Sequence, residues 1–348
     1  MQARGRIEGE IAKAGGWISF ERYMQLALHE PGVGYYASGA QKFGARGDFV
    51  TAPELGELFG RTLARQLKDF DRVLEFGAGS GALADVLTRE LKCEYWMLET
   101  SAELRARQRE RLGDRVRHVD RLPANFRGAM IANEVVDAMP VHVVHWTEGG
   151  VLERGVTTPL GWVDRPASGE LLERAKAIDV PAPYVSEMNL AARGWMRSLV
   201  EALEGGAIFV IDYGFPRHEY YHPQRASGTL MCHYQHHAHS DPYARPGEED
   251  ITAHVDFTAL AESAHDAGAQ ILGYTTQAQF LVNCGITEVL AQTNAENALR
   301  YAPIAAQAQR LLSPAEMGEL FKVLAVGKGP TPLPPLVGFT RGDRSHTL

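Results

Sequence analysis

A short segment that begins at Arg72, RVLEFGAGSGALADVL, restricts the possible folds more than any other part of the chain. Its first residues have the apolar character of a buried strand, and a helical pattern follows three glycines, Gly77, Gly79 and Gly81. Glycines between a strand and a helix allow the backbone to approach a ligand closely, because no side chain intervenes. The segment therefore predicts a strand, turn and helix of an α/β fold, in which the turn is either merely tight or binds a nucleoside.

The same alternation continues beyond this segment. Further apolar segments of strand length are separated by amphipathic helical patterns: EYWMLE, RVRHV, GAMIAN, GAIFVIDYG and, near the end, LFKVLAVGKG. Such repetition predicts a mostly parallel, doubly wound sheet with helices on both faces.

Apolar residues before about Phe70 recur at helical spacing, which predicts an N-terminal helical cap over residues 1–70. The main domain is then expected over residues 71–348, with insertions at about 141–180 and 215–255. The first insertion is predicted to be a hairpin, because VHVVHWTEGGVLERGV alternates around a Gly-Gly turn.

Composition limits the possible partners and location. The chain has 348 residues and a formal net charge of -8, which argues against a nucleic-acid partner. Its three cysteines are scattered, no apolar segment approaches a membrane span, and the first residues lack the pattern of a targeting segment. These features predict a cytoplasmic protein without membrane insertion, and they leave the oligomeric state open.

Two glutamates favour a nucleoside ligand at the glycine turn. Glu99 ends the second strand, where a carboxylate can accept hydrogen bonds from both ribose hydroxyls. Glu75 precedes the first glycine, where it suits a ligand with a cationic amino-acid tail and would repel a pyrophosphate. Together they favour S-adenosylmethionine over a dinucleotide, although GAGSGA also fits the dinucleotide fingerprint. Asp120 follows the third strand and is either an adenine ligand or a solvated turn residue.

The fourth strand leads into NEVVDAMPV, where chemistry is expected because ligands bind at the carboxyl ends of parallel strands. If the chain turns helically after Asn133, Glu134 and Asp137 fall on one face. Two carboxylates there can hold a guanidinium and take up the proton that is lost on methyl transfer. The alternative is that Asp137 caps a helix and Glu134 is solvated.

Several segments, distributed in order over most of the chain, resemble the MidA-like family of class I methyltransferases. They are HEPGVGYYAS, GDFVTAPELGELFG, LEFGAGSGALA, NEVVDAMPV, VIDYGF, GTLMCHYQHH and DITAHVDF. The resemblance implies a Rossmann-like fold that uses S-adenosylmethionine. It also implies a protein substrate that presents an arginine, because a mitochondrial member acts in complex I assembly and symmetrically dimethylates an arginine of a complex I subunit.

The resemblance further implies roles for particular residues. Cofactor contacts are expected from Glu75, Gly77, Gly79, Gly81, Glu99, Asn133 and Glu134. Phe49, Thr51 and Pro53 are expected to fold over the cofactor, although an ordinary helix-entry loop is the alternative. Asp212 and Tyr213, at the end of the fifth strand, are expected to face the same cleft, with Asp212 as a further catalytic candidate beside Glu134 and Asp137.

Histidines concentrate between His218 and His254, where CHYQHHAHSD has the residue types of a metal site. No helical ligand pair accompanies them and methyl transfer to nitrogen needs no metal, so a substrate-facing insertion without a metal is predicted. Two other functions remain possible at this point: an NAD(P)-linked oxidoreductase, or an assembly factor that binds the cofactor without catalysis.

Overall fold

A computed structural model describes residues 2–37, 51–235, 237–329 and 333–348. Its α-helices are α1 (Gln2–Lys13), α2 (Phe20–His29), α3 (Glu57–Leu67), α4 (Ala82–Glu90), α5 (Ala102–Leu112), α6 (Gly169–Lys176), α7 (Leu190–Ala202), α8 (Arg217–Tyr220), α9 (Phe257–Asp266), α10 (Gln277–Asn283), α11 (Ile286–Ala291), α12 (Ala298–Leu312) and α13 (Met317–Leu320). Its strands are β1 (Ile18–Ser19), β2 (Arg72–Phe76), β3 (Glu94–Leu98), β4 (Arg117–Val119), β5 (Phe126–Asn133), β6 (His142–Thr147), β7 (Gly150–Thr157), β8 (Gly161–Pro166), β9 (Tyr184–Met188), β10 (Leu203–Phe215), β11 (Met231–Tyr234), β12 (His237–His239), β13 (Asp250–Thr252), β14 (Val255–Asp256), β15 (Gln270–Thr276) and β16 (Phe321–Lys328).

The chain divides into two compact units, each made of three segments. Unit 1 comprises Met1–Phe49, Val136–Gly194 and Phe215–Asp256, and unit 2 comprises Val50–Val135, Trp195–Gly214 and Phe257–Leu348. Unit 1 thus contains α1 and α2 together with most of the residues predicted as insertions, whereas α3 lies in unit 2. The predicted domain limits at 1–70 and 71–348 stay a prediction.

Unit 2 is built on a sheet in the order β4, β3, β2, β5, β10, β16, β15. In this order, each strand from β4 to β10 pairs parallel with the next one. Strand β16 runs antiparallel to both of its neighbours, β10 and β15. The predicted α/β fold with a mostly parallel sheet is therefore confirmed. The carboxyl ends of β2, β3 and β5 lie at the same edge, which places the residues that follow them close together.

Sequence reasoning missed β15. Gly273 interrupts its apolar pattern, and the pairing with β16 shifts between Ile271 and Gly273. A side chain at Gly273 would place its Cβ 2.4 Å from the ring of Phe339, so the close approach of a neighbouring segment requires glycine here. A packing requirement of this kind leaves no periodic signal in the strand itself.

Close helix packing covers the core of unit 2. The strand residues Val73, Ala129 and Ile131 are fully buried in this core. Helices α3 and α4 approach so closely at Gly60 that a Cβ there would lie 2.9 Å from Cβ of Val86. The apolar faces of the two helices therefore exclude water from the part of the sheet that leads into the glycine turn.

Unit 1 contains a largely antiparallel sheet in the order β1, β7, β6, β9, with β8 paired to β7. Strands β6 and β7 pair antiparallel up to Thr147 and Gly150, so the predicted hairpin is confirmed. A smaller sheet has the order β12, β11, β13. Among the described residues of the whole chain, no helix has both the length and the apolar character needed to cross a membrane.

Candidate active site

The glycine turn that follows β2 needs its glycines for conformational reasons. Gly77, Gly79 and Gly81 have φ values of 58°, 55° and 78°, which side chains disfavour. The N–H of Gly77 donates to the carbonyl of Leu98 over 3.2 Å, which ties the turn to the end of β3, and α4 begins directly after Gly81. The turn therefore presents the backbone at the amino end of a helix, as the sequence predicted.

Glu75 lies almost completely buried on β2, with 3% of its surface exposed. Its carboxylate accepts a hydrogen bond from the hydroxyl of Tyr95 over 2.8 Å. Burial raises the pKa of Glu75 to about 7; the Tyr95 hydrogen bond opposes this rise, and the negative charge of Glu99 adds to it. A cationic group beside this carboxyl would favour its ionised form.

Glu99 follows the last residue of β3 and is also buried. One carboxylate oxygen accepts from the N–H of Ser101 over 2.9 Å, and the other accepts from Nε2 of Gln108 over 3.3 Å. Burial raises the pKa of Glu99, and these hydrogen bonds oppose the rise. Gln108 also donates to the carbonyl of Gly79 over 2.9 Å, so a single side chain of α5 contacts both the glycine turn and Glu99.

Gln108 was not among the predicted site residues. It stands in AELRARQRERL, a helix in which seven of the eleven residues are polar, and only its spacing of four residues from both Leu104 and Leu112 distinguishes it from exposed neighbours. Its complete burial becomes evident only in the folded chain.

At the end of β5 the backbone bends and does not continue as a helix. Glu134 has a φ of 54°, a left-handed conformation that ends regular structure, so the condition under which Glu134 and Asp137 would share one helical face is not met. Oε1 of Glu134 accepts from Nδ2 of Asn133 over 3.2 Å and from the N–H of Ala52 over 3.1 Å. Among the residues that the structure describes, Oδ1 of Asn133 is buried and has no hydrogen-bond partner.

Hydrogen bonds link the segment TAPEL, residues 51–55, both to Glu134 and to the glycine turn. Residues Ala52–Leu55 form a short 3₁₀ helix with Pro53 at its start and Thr51 at its N-cap. Besides the bond from Ala52 to Glu134, the carboxylate of Glu54 accepts a hydrogen bond from the hydroxyl of Ser80. The predicted cover residue Phe49 lies outside the described residues.

Asp212 is fully buried near the end of β10. Its carboxylate accepts from the N–H of Val135 over 3.2 Å and from the N–H of Tyr213 over 2.9 Å. These bonds make Asp212 a support for the bend that carries Glu134. Asp212 as a catalytic residue stays a prediction.

Two further predicted site residues have other surroundings. Asp137 belongs to unit 1, where it is buried and its carbonyl accepts from the N–H of Ala253 over 3.0 Å. Asp120 has an exposed side chain that pairs with Arg105 over 2.6 Å, and a hydrogen bond from this arginine lowers the pKa of Asp120. The catalytic role of Asp137 and the adenine contact of Asp120 stay predictions.

The histidine-rich segment lies in unit 1, where His239 contacts the buried carboxylate of Glu249 over 3.0 Å. Within the described ranges, which omit His236, no three His, Cys, Asp or Glu side chains are grouped as metal ligands.

Comparison with known proteins identifies the family. Residues 58–275 match the family model described as "Putative S-adenosyl-L-methionine-dependent methyltransferase", and the chain belongs to this family. A crystal structure from Burkholderia thailandensis with bound S-adenosylhomocysteine is 50% identical, has a TM-score of 0.94 and covers 100% of this chain and 96% of its own. The protein is therefore a methyltransferase with a Rossmann-like fold that uses S-adenosylmethionine, which decides against the dinucleotide alternative.

Curated relatives are more distant. The mitochondrial protein arginine methyltransferase NDUFAF7 of Xenopus tropicalis is 27% identical over 94% of this chain and 87% of its own length. The corresponding protein of Danio rerio is 28% identical over 90% of this chain and 84% of its own length. The predicted resemblance is confirmed. The prediction of a cytoplasmic location is wrong, because these curated relatives are mitochondrial proteins.

The polar groups at the carboxyl edge of the sheet fit this cofactor. Oδ1 of Asn133 is a buried acceptor that lacks a partner in the described part of the chain, and an ammonium group can supply the missing donor. Glu75 and Glu99 are buried carboxyls on either side of the glycine turn in the sequence, and they match a cationic amino-acid tail and a ribose in charge and hydrogen bonding.

Proposed function

We propose that this protein is a protein arginine N-methyltransferase and that Glu134 binds the guanidinium of its substrate. The position of Glu134 is the observation that carries the proposal. The residue directly follows β5, beside the candidate cofactor ligand Asn133, and two hydrogen bonds hold one oxygen of its carboxylate. Relatives named as protein arginine methyltransferases support the same substrate class.

A carboxylate in this position serves two purposes. It binds the planar guanidinium through charge-assisted hydrogen bonds, which fixes the direction of the reacting nitrogen. It also accepts the proton that this nitrogen loses on methylation. The bonds from Ala52 and Asn133 both reach Oε1, so they restrict the rotation of the carboxylate before a substrate binds.

S-Adenosylmethionine supplies a methyl group on a positively charged sulfur. We assign its amino-acid end to Glu75 and Asn133, its ribose to Glu99, and the close backbone approach to Gly77, Gly79 and Gly81. Thr51 and Pro53, together with Phe49, are proposed to shield the site from water. The hydrogen bonds that fix TAPEL at Glu134 and at Ser80 support this role.

The finer substrate assignment is also part of the proposal. We infer that the product is symmetric dimethylarginine and that the substrate is a subunit of respiratory complex I. Asp137 is proposed as a second carboxylate for the guanidinium. The product and the substrate rest on the resemblance to the MidA-like family, whereas Asp137 rests on its position three residues after Glu134 in the sequence.

Glu134→Gln tests the proposal. The glutamine keeps the size of the side chain and one acceptor oxygen but removes the charge, so we expect methyl transfer to fall by about a hundredfold or more. Stability should change by less than about 1 kcal/mol, because the retained oxygen still accepts from Ala52. The assay supplies labelled S-adenosylmethionine to protein extract from cells that lack the gene, and amino-acid analysis identifies the product.

Glu94→Gln is the matched control, because Glu94 begins β3 and pairs with Arg72 in an exposed position. It should methylate at the wild-type rate. Near-normal turnover by a Glu134→Gln protein that melts like the wild type would contradict the role of Glu134. Labelled lysine or histidine in place of arginine would contradict the substrate class.

A further inference from the structure

A buried amide connects the glycine turn to the proposed ribose ligand. Gln108 is fully buried on α5, a helix in which Leu112 is also buried and six of the other nine residues are charged. Burial of an amide without hydrogen bonds costs free energy, so the folded chain must satisfy both ends of this side chain. The amide nitrogen has two partners and the amide oxygen has one, and these three partners belong to separate elements.

The hydrogen bonds fix which way the amide points. Nε2 of Gln108 carries two protons, which are directed at the carbonyl of Gly79 over 2.9 Å and at Oε2 of Glu99 over 3.3 Å. Its Oε1 lies 3.1 Å from Nε2 of His118 on β4. Because an amide oxygen only accepts, this histidine nitrogen must donate, and the amide cannot be reversed without placing oxygen against oxygen.

The remaining contacts restrict Gln108 further. A Cβ added at Gly81 would lie 3.5 Å from Cγ of Gln108, so the glutamine stem packs directly against the glycine turn. Burial and the positive charges of Arg105 and Arg109 lower the pKa of His118, which keeps its ring neutral near pH 7. A neutral ring with its proton on Nε2 matches the bond to Gln108.

We propose that Gln108 is a positioning residue that aims the carboxylate of Glu99 at the ribose hydroxyls of the cofactor. Gln108 holds one carboxylate oxygen and the Ser101 N–H holds the other, which fixes the plane of the carboxylate relative to the glycine turn. The inference rests on the cofactor site proposed above, in which Glu99 binds the ribose. It is independent of the substrate.

The test measures how strongly the protein distinguishes two ligands, S-adenosylhomocysteine and its 2′-deoxy analogue. In the wild type, loss of a hydrogen bond to the Glu99 carboxylate should weaken binding of the deoxy ligand by about tenfold or more. The ratio to compare is the dissociation constant of the deoxy ligand divided by that of S-adenosylhomocysteine. In Gln108→Leu this ratio should fall below about threefold, because an unaligned carboxylate forms a weaker hydrogen bond with the 2′-hydroxyl. A general loss of stability weakens both ligands alike and leaves the ratio unchanged.

Three further variants complete the design. Gln66→Leu removes a second buried glutamine, whose amide bonds to the backbone of Pro335 and Gly338, and it should keep the wild-type ratio. Gln108→Glu keeps the shape of the side chain, and it should lower the ratio as Gln108→Leu does, which provides the measurement if the leucine protein fails to fold. Glu99→Gln should lower the ratio directly.

The outcomes separate the two assignments. A low ratio for Glu99→Gln with a wild-type ratio for both Gln108 variants would overturn the role of Gln108 and leave the ribose ligand in place. A wild-type ratio for Glu99→Gln would overturn the ribose assignment, and the role of Gln108 with it. A low ratio for Gln66→Leu would show that any lost buried amide has this effect, which would also overturn the proposal.

Discussion

Glu75→Gln should make the cofactor-free protein more stable at alkaline pH. Glu75 has an ordinary pKa of 4.5 that burial raises to about 7 in the folded chain. A carboxyl whose pKa is raised by folding binds more protons in the folded state between these two values, so stability falls as pH rises through this window. Glutamine still accepts from Tyr95 and never ionises, so the variant should lack this loss.

The magnitude follows from the two pKa values. They differ by about 2.5, and a difference of one is worth about 1.4 kcal/mol. The wild type should therefore lose about 3 kcal/mol relative to Glu75→Gln between about pH 4.5 and about pH 8. The two proteins should be nearly equally stable at the acidic end, where Glu75 is protonated and resembles the amide.

Chemical denaturation of both proteins without cofactor, at several pH values across this window, measures the difference. Glu94→Gln is the control, because a hydrogen bond and the charge of Arg72 lower the pKa of Glu94 below 4.5, so the stability difference between this variant and the wild type should stay constant across the window. A constant stability difference between Glu75→Gln and the wild type across the window would refute the reasoning. It would show that Glu75 is ionised, or solvated, throughout.

Two further predictions concern neighbours of the site. Tyr95→Phe removes the donor that lowers the pKa of Glu75, so the pH at which S-adenosylhomocysteine affinity reaches half its alkaline value should rise. Calorimetry at several pH values measures this midpoint. An unchanged midpoint would show that ionisation of Glu75 does not affect cofactor binding. Asp212→Asn places an amide where two backbone N–H groups need acceptors, so the free energy of unfolding should fall by about 1 to 3 kcal/mol and turnover should fall with it. A thermal melt and the labelled-methyl assay test both parts, and wild-type values in each would show that Asp212 does not support the bend at Glu134.

Local sequence patterns predicted the central features of the fold. The conformations of Gly77, Gly79 and Gly81 follow from the glycines themselves, because no other residue adopts them as readily. The place of Glu99 follows from strand periodicity, since a residue at the carboxyl end of a parallel strand must lie at one edge of the sheet.

Contacts between distant parts of the chain could not be predicted in the same way. The bond from Ala52 to Glu134 joins residues 82 positions apart, and no periodicity indicates it. At the bend that carries Glu134, the N–H of Val135 donates to the carboxylate of Asp212 on another strand, and no local pattern indicates this bond. Gln108 was missed because its burial results from the packing of α5 as a whole.

The position of β16 has a consequence for the order in which the protein can form during translation. β16 pairs with both β10 and β15, although it follows β10 by more than a hundred residues in the sequence. A ribosome releases residues in order, so β10 and β5 can pair early, whereas β15 must wait for Phe321–Lys328 before it can join the sheet. Pairing of such distant strands is slow, and until it occurs the residues of β10 that pair with β16, from Gly206 to Tyr213, stay available to other chains. Nascent chains stalled before Phe321 should therefore bind chaperones strongly, and release should follow the appearance of this one strand.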